Sequence, residues 1–335
     1  VSELVAETQA RPGQRAAAAP PSVGLAFNPA LAAFVARHAA ALDHLEISPE
    51  RFWRDRGPAL GTAAGRYAEL PETVAQLEAA RGELPLLAHG VGLSIATAGP
   101  LDVGHVQQVA RWHERYRFGW YSEHLAYFRL GPAAGWRGLG LLLPPVYDTA
   151  ALHDVSAKVG QVRGLLGLPV LLENSVDYAP VPDAELDEAT FLNRLAGGAP
   201  CGLLLDLHNL HTDAVNHGRD PHAFLDRLDL TAVTEIHLAG GEPLAGQWTD
   251  AHSGRCPEQV WALLGHVLGR PHAVRAITVE VDESYALALP PGALLDELER
   301  ARSIVAAAPP SPAAPPSPAA PPSPAARPRA AADVH

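Results

Sequence analysis

Between residues 86 and 280 the chain repeats one event: a short apolar run stops at side chains able to bind a metal. Leu203-Leu204-Leu205 ends in Asp206, with His208, Asn209 and His211 close behind. Leu86-Leu87-Ala88 ends in His89, and Trp120-Tyr121-Ser122 in Glu123 and His124. Val170-Leu171-Leu172 ends in Glu173 and Asn174, Glu235-Ile236 in His237, and Ile277-Thr278-Val279 in Glu280. A strand buried on both faces reads as a continuous apolar run, and parallel strands are buried on both faces. A series of such runs that each deliver polar groups at the C-terminal end describes one mouth of a parallel barrel.

The intervening segments agree. Strands are expected at Val23–Phe27, His44–Ile47, Leu84–Leu87, Phe118–His124, Pro169–Leu172, Leu203–Leu205, Val233–Leu238 and Ala276–Val281. A helix starts at Asn28-Pro29, and others are expected over Glu69–Ala80, Asp102–Tyr116, Tyr147–Leu166, Asp187–Leu195, Pro221–Leu228, Pro257–Leu268 and Gly292–Val305. In Asp102–Tyr116, Val103, Val106, Val109 and Trp112 share one face at helical spacing; Asp148 or Thr149 caps Tyr147–Leu166. Eight alternations of strand and helix predict a (β/α)₈ TIM barrel over residues 22–305. An open doubly wound sheet needs a glycine-rich phosphate loop after an early strand. Gly90-Val91-Gly92 has no third glycine at the required offset.

Residues 1–21 read as a flexible segment, and residues 306–335 as a disordered tail. That tail repeats Pro-Pro-Ser-Pro-Ala-Ala three times from Pro309 to Ala326, a composition that favours extended polyproline chain without a core. A formal charge of -12 with no long basic run argues against a nucleic-acid partner. No apolar run approaches the roughly 20 residues that cross a bilayer. Val1–Ala19 lacks the pattern of a signal peptide, so a cytoplasmic protein is expected. Two cysteines, Cys201 and Cys256, make no disulfide framework.

In a parallel barrel, His89, Glu123, His124, Glu173, Asn174, Asp206, His208, Asn209, His237 and Glu280 all reach one mouth. Asp250-Ala251-His252 lies in the loop after the seventh strand, and His217 in the loop after the sixth. Imidazoles with carboxylates suit Fe, Mn or Zn, and these ligands exceed the needs of one ion. His105, His113, His153, His222, His266 and His272 fall on helices or loops and read as ordinary packing or surface residues.

The segments His89-Gly-Val-Gly-Leu-Ser-Ile95, Ser122-Glu-His-Leu125, Leu172-Glu-Asn174, Asp206-Leu-His-Asn209, Asn216-His-Gly218, Ile236-His-Leu-Ala-Gly-Gly241, Asp250-Ala-His-Ser253 and Trp261-Ala-Leu-Leu264 resemble, in order, the multinuclear non-heme iron-dependent oxidative enzymes of the MbnB/TglH/ChrH type. The resemblance spans about residues 23–300. It implies a xylose isomerase-like TIM barrel with two or three irons, and O₂-dependent oxidation of a ribosomally made precursor peptide, usually at Cys. It also implies a separate partner protein that holds the peptide's leader.

Carried over, His89, Glu123, Asn174, Asp206, His237, Asp250, His252 and Glu280 are the expected ligands or their close partners. Glu123 is expected to bridge, and Asp250 to serve also as a base. Glu46, His124, Glu173, His208, Asn209 and His217 are expected as further ligands or neighbours. Ser48 stands where many members carry His, which leaves two or three irons open, and His208 where some have Asn. The series is similar also to xylose isomerases and endonuclease IV-type enzymes. A divalent-metal hydrolase or isomerase is therefore a second expectation, and a non-catalytic metal-binding scaffold a third.

Overall fold

A computed structural model of the chain describes residues 19–57, 63–129, 138–178, 181, 183–290 and 292–311. The expectations for residues 1–18 and 312–335 lie outside them. Eight parallel strands close a barrel in sequence order: β1 Ser22–Phe27, β2 Leu45–Ile47, β3 Leu86–Gly90, β4 Tyr121–His124, β5 Val170–Glu173, β6 Gly202–Asp206, β7 Val233–Leu238 and β8 Ala276–Val279. Around it run α1 Ala32–His38, α2 Pro71–Arg81, α3 Val103–Tyr116, α4 Thr149–Leu166, α5 Glu188–Gly198, α6 Leu207–His217, α7 Pro221–Arg227, α8 Glu258–Leu268 and α9 Ala293–Ala307. The expected TIM barrel is the observed fold.

Local chemistry sets the helix starts. Asp102, Asp148, Asp187, Asp206 and Asp220 each occupy an N-cap and accept a backbone N–H of the first turn. A capping carboxylate satisfies a donor that the helix itself leaves unpaired. Asp148, not Thr149, caps α4. In α3, Val106, Val109 and Trp112 are buried, but Val103, the first residue of the helix, is exposed. Among the described residues no helix is long and apolar enough to cross a membrane.

Two features differ from the expectations. The stretch after β6, including His217, is not a loop but α6, which starts on Asp206 and ends at Gly218 with φ 67°. Three antiparallel hairpins also sit in loops that follow the strands: Trp53–Asp55 with Tyr67–Glu69, Tyr127–Arg129 with Gly138–Leu143, and Glu242–Leu244 with Gln247–Thr249.

Side chains alternate across a strand, so the barrel interior is built in layers. Leu87, Trp120, Leu171, Leu204 and Ala276 form a separate apolar cluster, the floor. Beside it lies a polar group: Trp120 Nε1 donates to Glu235 Oε2 (2.7 Å), Thr278 Oγ1 donates to Glu235 Oε1 (2.8 Å), and His44 Nε2 is 3.0 Å from Thr278 Oγ1. Burial, then repulsion from Glu46, pushes the Glu235 carboxyl well above its usual range. One alternation further on, at the C-terminal mouth, stand the candidate ligands.

Candidate metal centre

Six strands each deliver one inward side chain: Glu46 from β2, His89 from β3, His124 from β4, Glu173 from β5, Asp206 from β6 and His237 from β7. Glu280 continues β8 by one residue, its N–H donating to Leu238 O at 2.8 Å. His252 enters from the loop after β7 with φ 48°, a left-handed conformation uncommon for a non-glycine residue. The Asp282 N–H, bonded to the His252 carbonyl at 2.9 Å, holds it there.

These eight residues form four overlapping triads: Glu46/His89/His237, His89/His124/Glu173, Glu173/Asp206/His237 and Asp206/His252/Glu280. Within each triad, one ligand atom per residue lies within 4.8 Å of the others. Glu173 Oε2 is 3.4 Å from His89 Nε2 and 3.4 Å from His124 Nε2. His237 Nε2 is 3.1 Å from Glu46 Oε1, and its Nδ1 is 3.1 Å from Glu280 Oε2. Neither His237 contact has the alignment of a hydrogen bond.

Two of the imidazoles are oriented by what lies behind them. The Gly90 carbonyl, 3.1 Å from His124 Nδ1, can only accept, so Nδ1 carries the proton. Ser122 Oγ donates to the Ala88 carbonyl and therefore accepts from His89 Nδ1, 3.0 Å away. Both rings thus turn a bare Nε2 toward Glu173 Oε2, which is buried and has no hydrogen-bond partner. Glu46 Oε2, Asp206 Oδ2 and both His237 nitrogens are likewise buried and unpartnered. Lone pairs facing one another in a low-dielectric pocket repel unless something positive lies between them. The donor set, imidazole nitrogen with carboxylate oxygen, fits iron, manganese or zinc.

The electrostatics agree. Burial and the imidazoles of His124 and His237 hold His89 well below its ordinary range. Burial pushes Glu173 well up, and lifts Asp206 to about 7, with Asp250 and Glu280 adding to the shift. Burial lowers His237, but Glu280 and Glu46 outweigh it and the net shift is well upward. A cation bound among these groups would displace the protons that the raised carboxyls and His237 hold.

Of the expected ligands, His89, Asp206, His237, His252 and Glu280 come together, and Glu46, His124 and Glu173 join them. Three of the expected ligands, Glu123, Asn174 and Asp250, stand outside these triads. Glu123 stands on the outer face of β4, one residue from His124, and accepts a 2.5 Å hydrogen bond from Tyr121 OH. Burial, then Glu50, pushes its carboxyl well up. A Cβ at Gly90 would lie 2.3 Å from Glu123 Oε2, so only glycine leaves room for it. Glu123→Gln is therefore expected to keep its full cation content, as elemental analysis would show; loss of one ion per chain would restore Glu123 to the centre.

Asn174 is also spent elsewhere. Its Oδ1 accepts from Asp206 N (2.7 Å) and its Nδ2 donates to Asp206 O (3.0 Å), so it clamps the end of β6. Asn209 reinforces the clamp, with its N–H on Asp206 Oδ1 (2.8 Å) and its Nδ2 on Asn174 O (3.0 Å). Asp250 stands at the rim, Oδ2 3.2 Å from His252 Nε2 and Oδ1 2.8 Å from His208 Nδ1. His217 lies away from the centre and bonds the Asp177 carbonyl. His105, expected to be ordinary packing, is a buried partner of Glu50 at 2.9 Å.

A closed parallel barrel with four overlapping groups of metal-capable side chains at its C-terminal mouth defines a TIM-barrel protein with a candidate metal centre. A solved xylose isomerase domain-containing protein from Salmonella typhimurium LT2 shares this fold, with a TM-score of 0.56 and 12% identity over 85% of this chain and 97% of that one. The chain belongs to the family of RiPP (ribosomally made, modified peptide) precursor modification enzymes MbnB/TglH/ChrH, whose model matches residues 22–306. Among curated relatives, a UPF0276 protein of Bordetella bronchiseptica is 36% identical over 89% of this chain and 97% of its own length. One of Anaeromyxobacter sp. is 32% identical over 82% and 91%.

Proposed function

We propose that this protein is a multinuclear iron-dependent oxidase that uses O₂ to modify a cysteine of a precursor peptide. One observation carries the cation part of this reading: the unpartnered Glu173 Oε2 faces the bare Nε2 atoms of His89 and His124 at 3.4 Å each. Family membership supports a peptide substrate. The ions would be held by Glu46, His89, His124, Glu173, Asp206, His237, His252 and Glu280. Iron, when bound, supplies redox chemistry with O₂ and an affinity for thiolate that protein side chains lack.

The chain's own residues set where this happens. The apolar floor closes the pocket from below, so a substrate enters from the mouth. There the side chains of Asp250 and His252 are 20% and 29% exposed, the most open of the site, while His237 is fully buried. An entering thiol therefore meets the Asp250 rim first. Burial raises the Asp250 carboxyl, but His252 and His208 outweigh it and the net shift is downward, so it stays an anion facing whatever enters the mouth. The peptide's leader is proposed to sit on a separate partner protein.

The test is metal analysis of anaerobically purified protein, followed by O₂ uptake with a cysteine-bearing precursor peptide encoded beside this gene. Two or more irons per chain, oxygen consumption and a mass change in the peptide are expected. Stoichiometric zinc with no oxygen uptake would favour a hydrolase or isomerase instead.

A further inference from the structure

We infer that Trp248 is a positioning residue which, through His208, fixes the Asp250 carboxylate at the mouth of the centre. The inference rests on the proposed function for what Asp250 does, but not for how it is held. Trp248 Nε1 donates to His208 Nε2 at 3.1 Å. An indole nitrogen can only donate, so His208 Nε2 carries no proton. The ring proton therefore sits on Nδ1, which donates to Asp250 Oδ1 at 2.8 Å. The hydrogen bond on one ring nitrogen thus sets the role of the other.

The surroundings serve this geometry. Asn216 grips the Trp248 backbone from both sides: Trp248 N donates to Asn216 Oδ1 (2.7 Å), and Asn216 Nδ2 donates to Trp248 O (2.9 Å). A Cβ at Gly241 would lie 2.6 Å from Trp248 Nε1 and 2.7 Å from His208 Nε2, so a side chain there would split the pair. His208 is fully buried, with its ring closed off from water as a competing partner. From the far side the Asp250 N–H bonds Tyr178 OH at 3.0 Å. Held on Oδ1, Asp250 keeps Oδ2 for His252 and for whatever enters the mouth.

The tautomer is read directly by nitrogen-15 NMR of the metal-free protein with labelled histidine. His208 should carry hydrogen on Nδ1, the nitrogen facing Asp250, with Nε2 accepting from Trp248. Hydrogen found on Nε2, the nitrogen facing Trp248, would overturn the inference whether or not the protein is an oxidase. In Trp248→Phe the Nε2–H form of His208 should become populated. In the iron-loaded enzyme, kcat should then fall about ten- to a hundredfold, the usual cost of losing an outer partner of a metal site, with KM for the peptide within about twofold.

Because Trp248 acts through His208, Trp248→Phe should cost nothing further in a His208→Ala background. An additional loss there would show that Trp248 acts on its own. His208→Asn, whose amide can still donate to Asp250, should recover most of what His208→Ala loses.

Discussion

Glu173→Gln should strip at least one cation per chain and lower turnover by on the order of a thousandfold, with the fold intact. The magnitude follows from several kcal/mol of metal-supplied stabilisation at about 1.4 kcal/mol per tenfold. Glu173 joins two triads, one with His89 and His124, the other with Asp206 and His237, and its unpartnered Oε2 faces two imidazole nitrogens at 3.4 Å each. Gln keeps the shape, so packing against the fully buried Leu172 and neighbouring strands is undisturbed. What it loses is the charge that offsets a cation, and its amide N–H₂ would face the bare nitrogens of His89 and His124. Elemental analysis and O₂ uptake check this, with circular dichroism as control for folding. Full iron content and normal turnover would mean that the centre lies elsewhere in the mouth.

The pairing of that prediction with Glu123→Gln shows where the sequence was ambiguous. Two strand ends carry two ligand types side by side, Glu123-His124 and Glu173-Asn174. Neighbouring residues face opposite sides of a strand, and a four-residue strand offers little periodicity from which to choose. The resemblance pointed to Glu123 and Asn174; the barrel turns His124 and Glu173 inward. A signal was nonetheless present. Counting two or four residues on from the floor gives the ligands: Leu87 to His89, Trp120 to His124, Leu171 to Glu173, Leu204 to Asp206, Ala276 to Glu280. The floor itself could not be read, because strands buried on both faces are apolar on both.

The barrel was legible for the complementary reason: continuous apolar runs and their spacing survive any choice of face. Helix α6 was missed because the residues it buries are polar as well as apolar, His208, Asn209, Thr212 and Asp213 among them. No apolar stripe marks such a helix. The hairpin that carries Trp248 turns through Ala245 (φ 51°) and Gly246 (φ 86°). Positive φ at both positions usually announces itself as Asn-Gly or Asp-Gly, and Ala-Gly does not.

Asp206 carries two roles that substitution can separate. Its Oδ1 caps α6 by accepting the Asn209 N–H at 2.8 Å, while its Oδ2 is buried, unpartnered and part of two triads. Asparagine is as good an N-cap as aspartate, whereas alanine forfeits about 1 kcal/mol. Asp206→Asn and Asp206→Ala should therefore lose cations and turnover alike, by the same order as Glu173→Gln. In metal-free protein they should part company. Burial lifts the Asp206 carboxyl to about 7, so at pH 8 its charge opposes folding, and this penalty is absent below the unfolded value near 4. Asp206→Asn removes the penalty and keeps the cap, so its urea midpoint at pH 8 should equal or exceed that of the parent. Asp206→Ala should fall about 1 kcal/mol below Asp206→Asn. Equal midpoints for the two variants would mean that the cap contributes nothing, and that Asp206 stands where it does for the cations alone.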